Sequence, residues 1–577
     1  MVSRPALLSI EALTTDVLTL AGPRRLVEGV SFAIAPGELL AVVGESGSGK
    51  SVTMLSALGL LPEPVVVTSG AALFEGRDLL SLPERDLRRI RGDRIGMIFQ
   101  EPMSALNPVA PVGEQIGEVL VAHRRMSRRS AFAEAVRLLD RVRIPQATER
   151  ARLYPHQLSG GMRQRVVIAA AIACKPKLLI ADEPTTALDA TVQAEIMALI
   201  SELRSEVGCA VALITHDMGL VKDVADRVVV MSRGKVIEQG AREKVFAAPR
   251  QAYTRTLLEA ALPSEAGRAG APPRSEAVLD LKDITVSFPV RAPLFSGRRW
   301  DRLHVVDGVS FSLGAGETLA LVGESGSGKT TIARAILGLT PIDDGGLWIA
   351  GRDARDLDPA SRKAQFVFQD PQASLDPRIR VWEAAVEPVA LAGPRTRREL
   401  RARAAALFAQ VGLDADCLDR FPHELSGGQR QRIGIARALS VSPRILIADE
   451  AVAALDASTR LQVLDLLSEL QANIGVAILF ITHDFSVISR LAHRVAVMRF
   501  GRLVEIGRTA DVLVNPLHPY TKALIRAMPG RGGGREENGL AGGRHRSGRR
   551  GSLPAWPPLR PVGPGHAVAV QEPTVGN

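Results

Sequence analysis

Two stretches of this sequence repeat one arrangement of glycines, a lysine and a hydroxyl. They are Gly44-Glu45-Ser46-Gly47-Ser48-Gly49-Lys50-Ser51 and Gly323-Glu324-Ser325-Gly326-Ser327-Gly328-Lys329-Thr330. Each follows an apolar run (Leu39 to Val43; Leu319 to Val322), and the first precedes a helical pattern from Val52 to Leu60. A strand, a glycine-rich turn and a helix in that order let the backbone wrap a chain of phosphates with its N–H groups turned inward. Lys50 and Lys329 each add a point charge for the terminal phosphates, and the Ser51 and Thr330 hydroxyls can ligand Mg²⁺. The full spacing, present twice in the same context, implies that the chain binds two nucleoside triphosphates.

Four further groups of residues recur with these loops. Asp182-Glu183 and Asp449-Glu450 each follow four apolar strand residues. At such a strand end the Asp can hold the Mg²⁺ shell and the Glu can polarise the water that attacks the terminal phosphorus. His216 and His483 each follow an apolar strand and a Thr, on the edge where the phosphates belong. An imidazole there can hold the attacking water and the Glu in position. Gln100 and Gln369 also end apolar strands, where an amide can reach both Mg²⁺ and water. Ser159-Gly160-Gly161 and Ser426-Gly427-Gly428 open helical patterns, and free N–H groups at a helix start make a second anion site.

The elements that must position these residues form an internal duplication. Ser159 and Ser426, Asp182 and Asp449, His216 and His483, and Tyr253 and Tyr520 are each 267 residues apart. Upstream the offset is 271 at Leu13 and Ile284, 279 at the phosphate loops and 269 at Gln100 and Gln369. The second copy has therefore gained eight residues around Arg291 to Leu303 and lost ten before Gln369, both where turn-like residues suggest surface loops. Strands alternating with helices predict a mainly parallel sheet covered on both sides, with the nucleotide at the strand carboxyl ends. The stretches at about 101–158 and 370–425 carry helical but no strand signals and read as helical insertions. The expected order is a first domain at 1–262, a linker at 263–277 rich in Pro, Gly and Ala, and a second domain at 278–529. A Gly-, Arg- and Pro-rich tail at 530–577 is expected to lack order.

Composition excludes several other classes. The formal charge of +10 is concentrated in part at the end: residues 531–577 hold seven Arg and three Glu. The remainder is mildly basic, so nucleic acid is not an expected partner. Three cysteines far apart (Cys174, Cys209, Cys417) lack metal-ligand spacing and read as reduced, small apolar residues. The first twenty residues do not resemble a signal peptide, and no apolar run approaches the ~20 residues that span a bilayer. Any membrane role is expected to come through a partner.

In this order, phosphate loop, Gln, LSGGxRQR, strand-Asp-Glu, Leu-Asp (Leu188-Asp189; Leu455-Asp456) and His resemble an ATP-binding cassette ATPase, in both halves. The resemblance implies an α/β fold of two tandem phosphate-loop cassettes. Each would have a mainly parallel sheet core, an antiparallel β part and an inserted helical subdomain. It also implies two ATP sites, one combining Gly44–Ser51 with Ser426–Gly428 and the other Gly323–Thr330 with Ser159–Gly161. The segments Phe99 to Pro108 and Phe368 to Pro377, Tyr154-Pro155-His156-Gln157-Leu158, Phe421-Pro422-His423-Glu424-Leu425 and His518-Pro519-Tyr520-Thr521 are similar to dipeptide, oligopeptide and nickel importers. The implied partners are two membrane permease subunits and an extracytoplasmic solute-binding protein, with the chain peripheral on the cytoplasmic face of the inner membrane. For adenine the second cassette offers Phe288, where the first has Val17. Pro184 follows Glu183, whereas Ala451 follows Glu450. No cysteine cluster of the kind that some peptide-importer ATPases carry is present. The competing readings are nickel or another small solute as cargo, and a soluble twin-cassette ATPase acting on ribosomes or DNA.

Overall fold

The computed structural model describes residues 6–185, 188–261, 276–291, 300–371, 373–453, 455–528, 559–563 and 565–569. Those up to 261 form one compact unit, and those from 276 to 527 with 559–569 form a second. The expected linker lies almost wholly outside the described residues, as does the eight-residue gain of the second copy.

In the first unit the run Leu39–Val43 is buried along its whole length. It lies in the middle of a six-stranded sheet, flanked by Ala210–Thr215 and Arg227–Ser232, with Leu178–Asp182 and Ile95–Ile98 beyond the former. These five strands are parallel, and only Lys235–Ala241 at the far edge runs antiparallel. A strand covered on both faces needs apolar residues at every position, which explains the continuous runs. Parallel strands end on the same side. Val43 pairs with Thr215, Asp182 with Ile214 and Ile98 with Ala181. The phosphate loop, the acidic pair, the His and the Gln all leave the sheet along that one edge.

A separate four-stranded antiparallel sheet is ordered Gly22–Ile34, Leu8–Thr19, Val65–Phe74 and Arg77–Asp78. It shares a core with the parallel sheet through Leu8, Ile34, Leu40, Met54 and Ile180. The first insertion is helical as expected, with Pro102–Ala105, Val112–Arg124, Arg128–Arg141 and Ala147–Arg150 leading into the helix Gly160–Ile172. Among the described residues no helix is long and apolar enough to cross a membrane.

The second unit repeats this plan, with one correction to each of two expectations. Of the ten residues lost, four come out between the phosphate-loop helix and the strand pair that follows, and six from the segment that in the first unit holds the helix Glu84–Ile90, which has no counterpart among the described residues of the second unit. That helix buries only Leu87, so little core is lost with it. The tail, expected to lack order from 530 onward, contributes a hairpin. Arg560–Gly563 pairs with His566–Val568, which pairs with Arg502–Arg508 and extends the second parallel-core sheet to eight strands. Two features of the edge strand attract it. Unpaired N–H and C=O groups at an edge invite a further strand. The fully buried Glu505 also accepts a bond with His566 Nε2 at 2.9 Å. Val568 and Ala569 are buried there, a short apolar signal that Gly- and Arg-rich surroundings mask.

His566→Ala is expected to lower the unfolding midpoint of the intact chain. Losing one partner of a buried carboxylate costs about 1–3 kcal/mol, and each kcal/mol moves the midpoint by about 2–4 °C. Calorimetry on this variant, with His566→Gln as a donor-retaining control that recovers part of the loss, checks it.

Candidate functional site

The phosphate loop owes its shape to glycine at points of close approach. Gly44 has φ +153°, and a Cβ there would lie 2.2 Å from the Met231 carbonyl oxygen; at Gly323 the corresponding distance, to the Met498 carbonyl oxygen, is 2.3 Å. The helix Lys50–Leu58 starts directly after the loop, so its first N–H groups and its positive end face the loop's hollow. Lys50 Nζ donates to the Gly44 and Glu45 carbonyls at 2.8 Å each, and Lys329 Nζ to those of Gly323 and Glu324 at 2.8 Å. Both lysines are buried, which strengthens their charge for an anionic partner. Ser48 Oγ is buried in the loop without a protein partner.

Beside the loop, Ser51 Oγ donates to Asp182 Oδ1 at 2.8 Å and Thr330 Oγ1 to Asp449 Oδ2 at 2.9 Å. Burial pushes the Asp182 carboxyl above the ordinary range. The Ser51 hydroxyl opposes this, neighbouring Glu183 adds to it, and Lys50 opposes it again. Asp449 is raised for the same reason. A buried carboxylate beside a hydroxyl is a pair of hard oxygen donors that fits a small divalent cation. Among the described residues no group of three His, Cys, Asp or Glu could hold a metal alone.

Glu183 lies one residue beyond its strand, with its backbone in the left-handed region at φ 45°; Glu450 repeats this at φ 48°. Their N–H groups are tied to the neighbouring strand, Glu183 N to the Ile214 carbonyl at 2.9 Å and Glu450 N to that of Ile481 at 2.8 Å. A non-glycine residue in this region is strained, and such strain concentrates where side-chain direction matters. Each carboxylate is held from two sides. Gln100 Nε2 donates to Glu183 Oε2 at 2.9 Å, and His216 Nδ1 lies 3.3 Å from Oε1. In the second unit the Gln369 and His483 distances to Glu450 are 2.6 and 3.0 Å. The bonded His483 ring holds Glu450 below the ordinary carboxylate range, so the group stays ionised and able to accept a proton. The histidines are fixed in turn because Asp217 and Asp484 cap the next helix, taking Leu220 N at 3.1 Å and Ser486 N at 2.9 Å.

Ser159 and Ser426 cap the helices Gly160–Ile172 and Gly427–Leu439, and both serines are exposed. The second glycine is required by packing: a Cβ on Gly428 would lie 2.2 Å from Thr459 Cγ2. Arg165, two residues past the glycine-led turn, bonds the Val142 carbonyl at 2.8 Å and Glu195 at 2.7 Å, tying the helical insertion to the helix Ala190–Val207. Phe288 stands exposed on the antiparallel sheet opposite Leu303, and Val17 occupies the matching strand position opposite Arg24.

Two contacts were not deduced from the motifs. Gln193 Nε2 donates to Asp217 at 3.1 Å and its repeat mate Arg460 to Asp484 at 2.9 Å, linking the helix after Leu-Asp to the histidine turn. Tyr253 and Tyr520 accept from the backbone N–H of Glu45 and Glu324 at 3.0 and 3.1 Å. The 267-residue spacing of the tyrosines was the available signal; their target, more than 190 residues away, was not.

Comparison with known proteins gives the family of the chain. The family model described as ABC transporter matches residues 27–186 and 306–453. The one described as oligopeptide/dipeptide transporter, C-terminal region, matches 237–286 and 504–549. The chain is 47% identical to the glutathione import ATP-binding protein GsiA of Pectobacterium atrosepticum, over 87% of this chain and 86% of that protein. It is 46% identical to GsiA of Escherichia coli strain K12, over 94% and 93%. A solved dimeric cassette, MJ0796 in a post-hydrolysis state bound to ADP and Pi, is 29% identical over 41% of this chain and 98% of its own, with TM-score 0.38.

Gly44→Ala and Gly323→Ala are expected to destabilise their units by about 1–3 kcal/mol through overpacking and backbone strain. Denaturant unfolding of each variant, set beside Gly37→Ala, where the backbone is also left-handed at φ +73° but nothing lies within 4 Å of the added Cβ, separates the overpacking from the backbone strain.

Proposed function

Because this chain belongs to the ATP-binding cassette transporter family as a tandem two-cassette ATPase, we propose that it energises a membrane importer of small peptides, glutathione among them. The observation that carries the hydrolytic part is the twice-built carboxylate, Glu183 between Gln100 and His216 and Glu450 between Gln369 and His483. The peptide part rests on the C-terminal region at 237–286 and 504–549 and on the glutathione-import relatives.

In this reading the loop N–H groups of Gly44–Ser51 and Gly323–Thr330, with Lys50 and Lys329, hold the triphosphate and neutralise its terminal charge. Ser51 with Asp182, and Thr330 with Asp449, would hold Mg²⁺, and Gln100 and Gln369 would add an amide oxygen or nitrogen beside it. The cation supplies charge neutralisation on the phosphate oxygens. Glu183 and Glu450 orient water and take its proton as it attacks the terminal phosphorus, and His216 and His483 keep each carboxylate aimed. Phe288 stacks adenine in the second cassette. Ser159–Gly161 and Ser426–Gly428 each act as an anion site needed for turnover in the other cassette.

The proposed partners are two permease subunits, approached through the helical insertions, and a solute-binding protein that selects the cargo. The chain works as a peripheral subunit at the cytoplasmic face of the inner membrane. ATP-driven change in the cassettes shifts the permeases between inward and outward openings.

Uptake of labelled glutathione and of a labelled dipeptide, in a strain lacking this chain and then supplied with it, tests the transport reading. The expected result is restored uptake by the native chain and none by the Lys50→Ala, Lys329→Ala variant. Uptake indifferent to the chain for both cargoes overturns it. The dependence between cassettes is read on the intact protein with Lys329→Ala and Ser426→Arg together, both in the second cassette: ATP turnover falls close to zero, whereas independent cassettes would retain that of the first, about half.

A further inference from the structure

The last helix of each cassette is tied down at one end and touches the phosphate loop at the other. In the first unit the Glu238 carboxylate accepts from Arg250 N at 2.9 Å, Gln251 N at 3.2 Å and Thr254 Oγ1 at 2.7 Å, gripping the start of the helix Ala252–Ala261. In the second, Glu505 accepts from Leu517 N at 2.9 Å and His518 N at 3.0 Å, at the start of the helix Pro519–Arg526. Every one of these positions recurs at the 267-residue offset. A carboxylate that accepts two adjacent backbone N–H groups at a helix start fixes both the position and the direction of that helix.

From the first turn of each helix a tyrosine reaches back. Tyr253 Oη accepts from Glu45 N at 3.0 Å, and Tyr520 Oη from Glu324 N at 3.1 Å. The residue so held is the one on which the lysine also closes, since Lys50 Nζ bonds the Glu45 carbonyl and Lys329 Nζ that of Glu324, both at 2.8 Å. The peptide group after the first loop glycine is thus held through its N–H by the tyrosine. Glu45 also closes the first turn of the loop, since its carbonyl accepts from Ser48 N at 3.1 Å, as that of Glu324 does from Ser327 N at 3.1 Å. Tyr520 is buried, and burial pushes the Tyr253 hydroxyl up to about 12. The hydroxyl therefore keeps its proton over the working pH range, and the contact does not switch with pH.

We propose that Tyr253 and Tyr520 are positioning residues for ATP: each hydroxyl fixes the entry to its phosphate loop, so that the C-terminal segment of each cassette sets the affinity of that cassette. The proposal rests on the reading of Gly44–Ser51 and Gly323–Thr330 as ATP-binding loops. It explains why a segment placed some two hundred residues after the loop is retained in both copies in register with a strand glutamate and a helix start.

The test uses the full chain. MgATP binding is measured by titration calorimetry in a Glu183→Gln, Glu450→Gln background, with Tyr253→Phe and Tyr520→Phe introduced singly. Phe keeps the ring and deletes only the hydroxyl. Each variant is expected to weaken one of the two sites about fivefold, the effect of one hydrogen bond, with the unfolding midpoint unchanged. In the hydrolysing protein the same variants should raise KM with little change in kcat. Glu238→Gln, which weakens the grip on the helix without touching the loop, should raise KM in the same direction but by less. Unchanged affinity in both tyrosine variants overturns the proposal. A fall in affinity accompanied by an equal loss of stability and of kcat also overturns it, because the tyrosines would then be structural only. A parent protein that binds no ATP removes the ATP reading itself, and with it the proposal; a parent that binds ATP while the variants are unaffected removes the proposal alone.

Discussion

The structure depends on where one carboxylate can stand. Glu183 and Glu450 sit just past the end of a central parallel strand, in a backbone conformation that a residue with a side chain does not choose freely. The N–H bond to the adjacent strand, the amide of Gln100 or Gln369 and the ring of His216 or His483 together hold them there. The Gln follows the strand on one side of the glutamate's own, while the backbone carbonyl belongs to the strand on the other side and the His follows it, all in the same sheet. The parallel register brings them to one edge, and it is therefore the condition for this arrangement around the carboxylate, not only a solution to packing.

The two copies share this frame and differ around it. Arg437 in the second unit bonds the Ser374 carbonyl at 2.6 Å and lies over the Phe368 ring, bracing the segment around Gln369; its repeat mate is Ala170. Arg460 stands where the first unit has Gln193, Phe288 where it has Val17, and Ala451 where it has Pro184. The C-terminal hairpin covers a sheet edge in the second unit and places His566 on Glu505, while Thr521 Oγ1 there is buried without a partner. Its mate Thr254 instead bonds Glu238 directly. These differences surround side chains that are the same in both cassettes: the loop Lys, the strand-end Asp and Glu, the Gln and the His.

Much of this was legible in the sequence because the chemistry is local in the chain. A phosphate loop is eight consecutive residues with a strand before it and a helix after it, so its geometry follows from glycine placement and can be read directly. Asp182 with Glu183 and His216 after Thr215 are likewise strand-end motifs whose convergence follows once the strands are parallel. What escaped depends on contacts across long separations or on short signals in poor surroundings. The tyrosine bond to Glu45 spans 208 residues and uses a backbone group, which leaves no trace in side-chain type at its target. The hairpin at 560–568 is seven ordered strand residues amid Gly, Arg and Pro, and its stability comes from the edge it meets rather than from its own propensity. The helix Glu84–Ile90 was mistaken for loop because its single buried residue gives no periodic apolar face.

The central claim is that the two glutamates are the groups that activate water. It is tested most directly by single-turnover hydrolysis of γ-³²P-labelled ATP, with bound nucleotide counted on the same samples. The account predicts that Glu183→Gln, Glu450→Gln together lower the hydrolysis step by about 10²-fold or more, the scale of a lost general base, while ATP binding is preserved. Hydrolysis at close to the native rate with both carboxylates neutralised would contradict it.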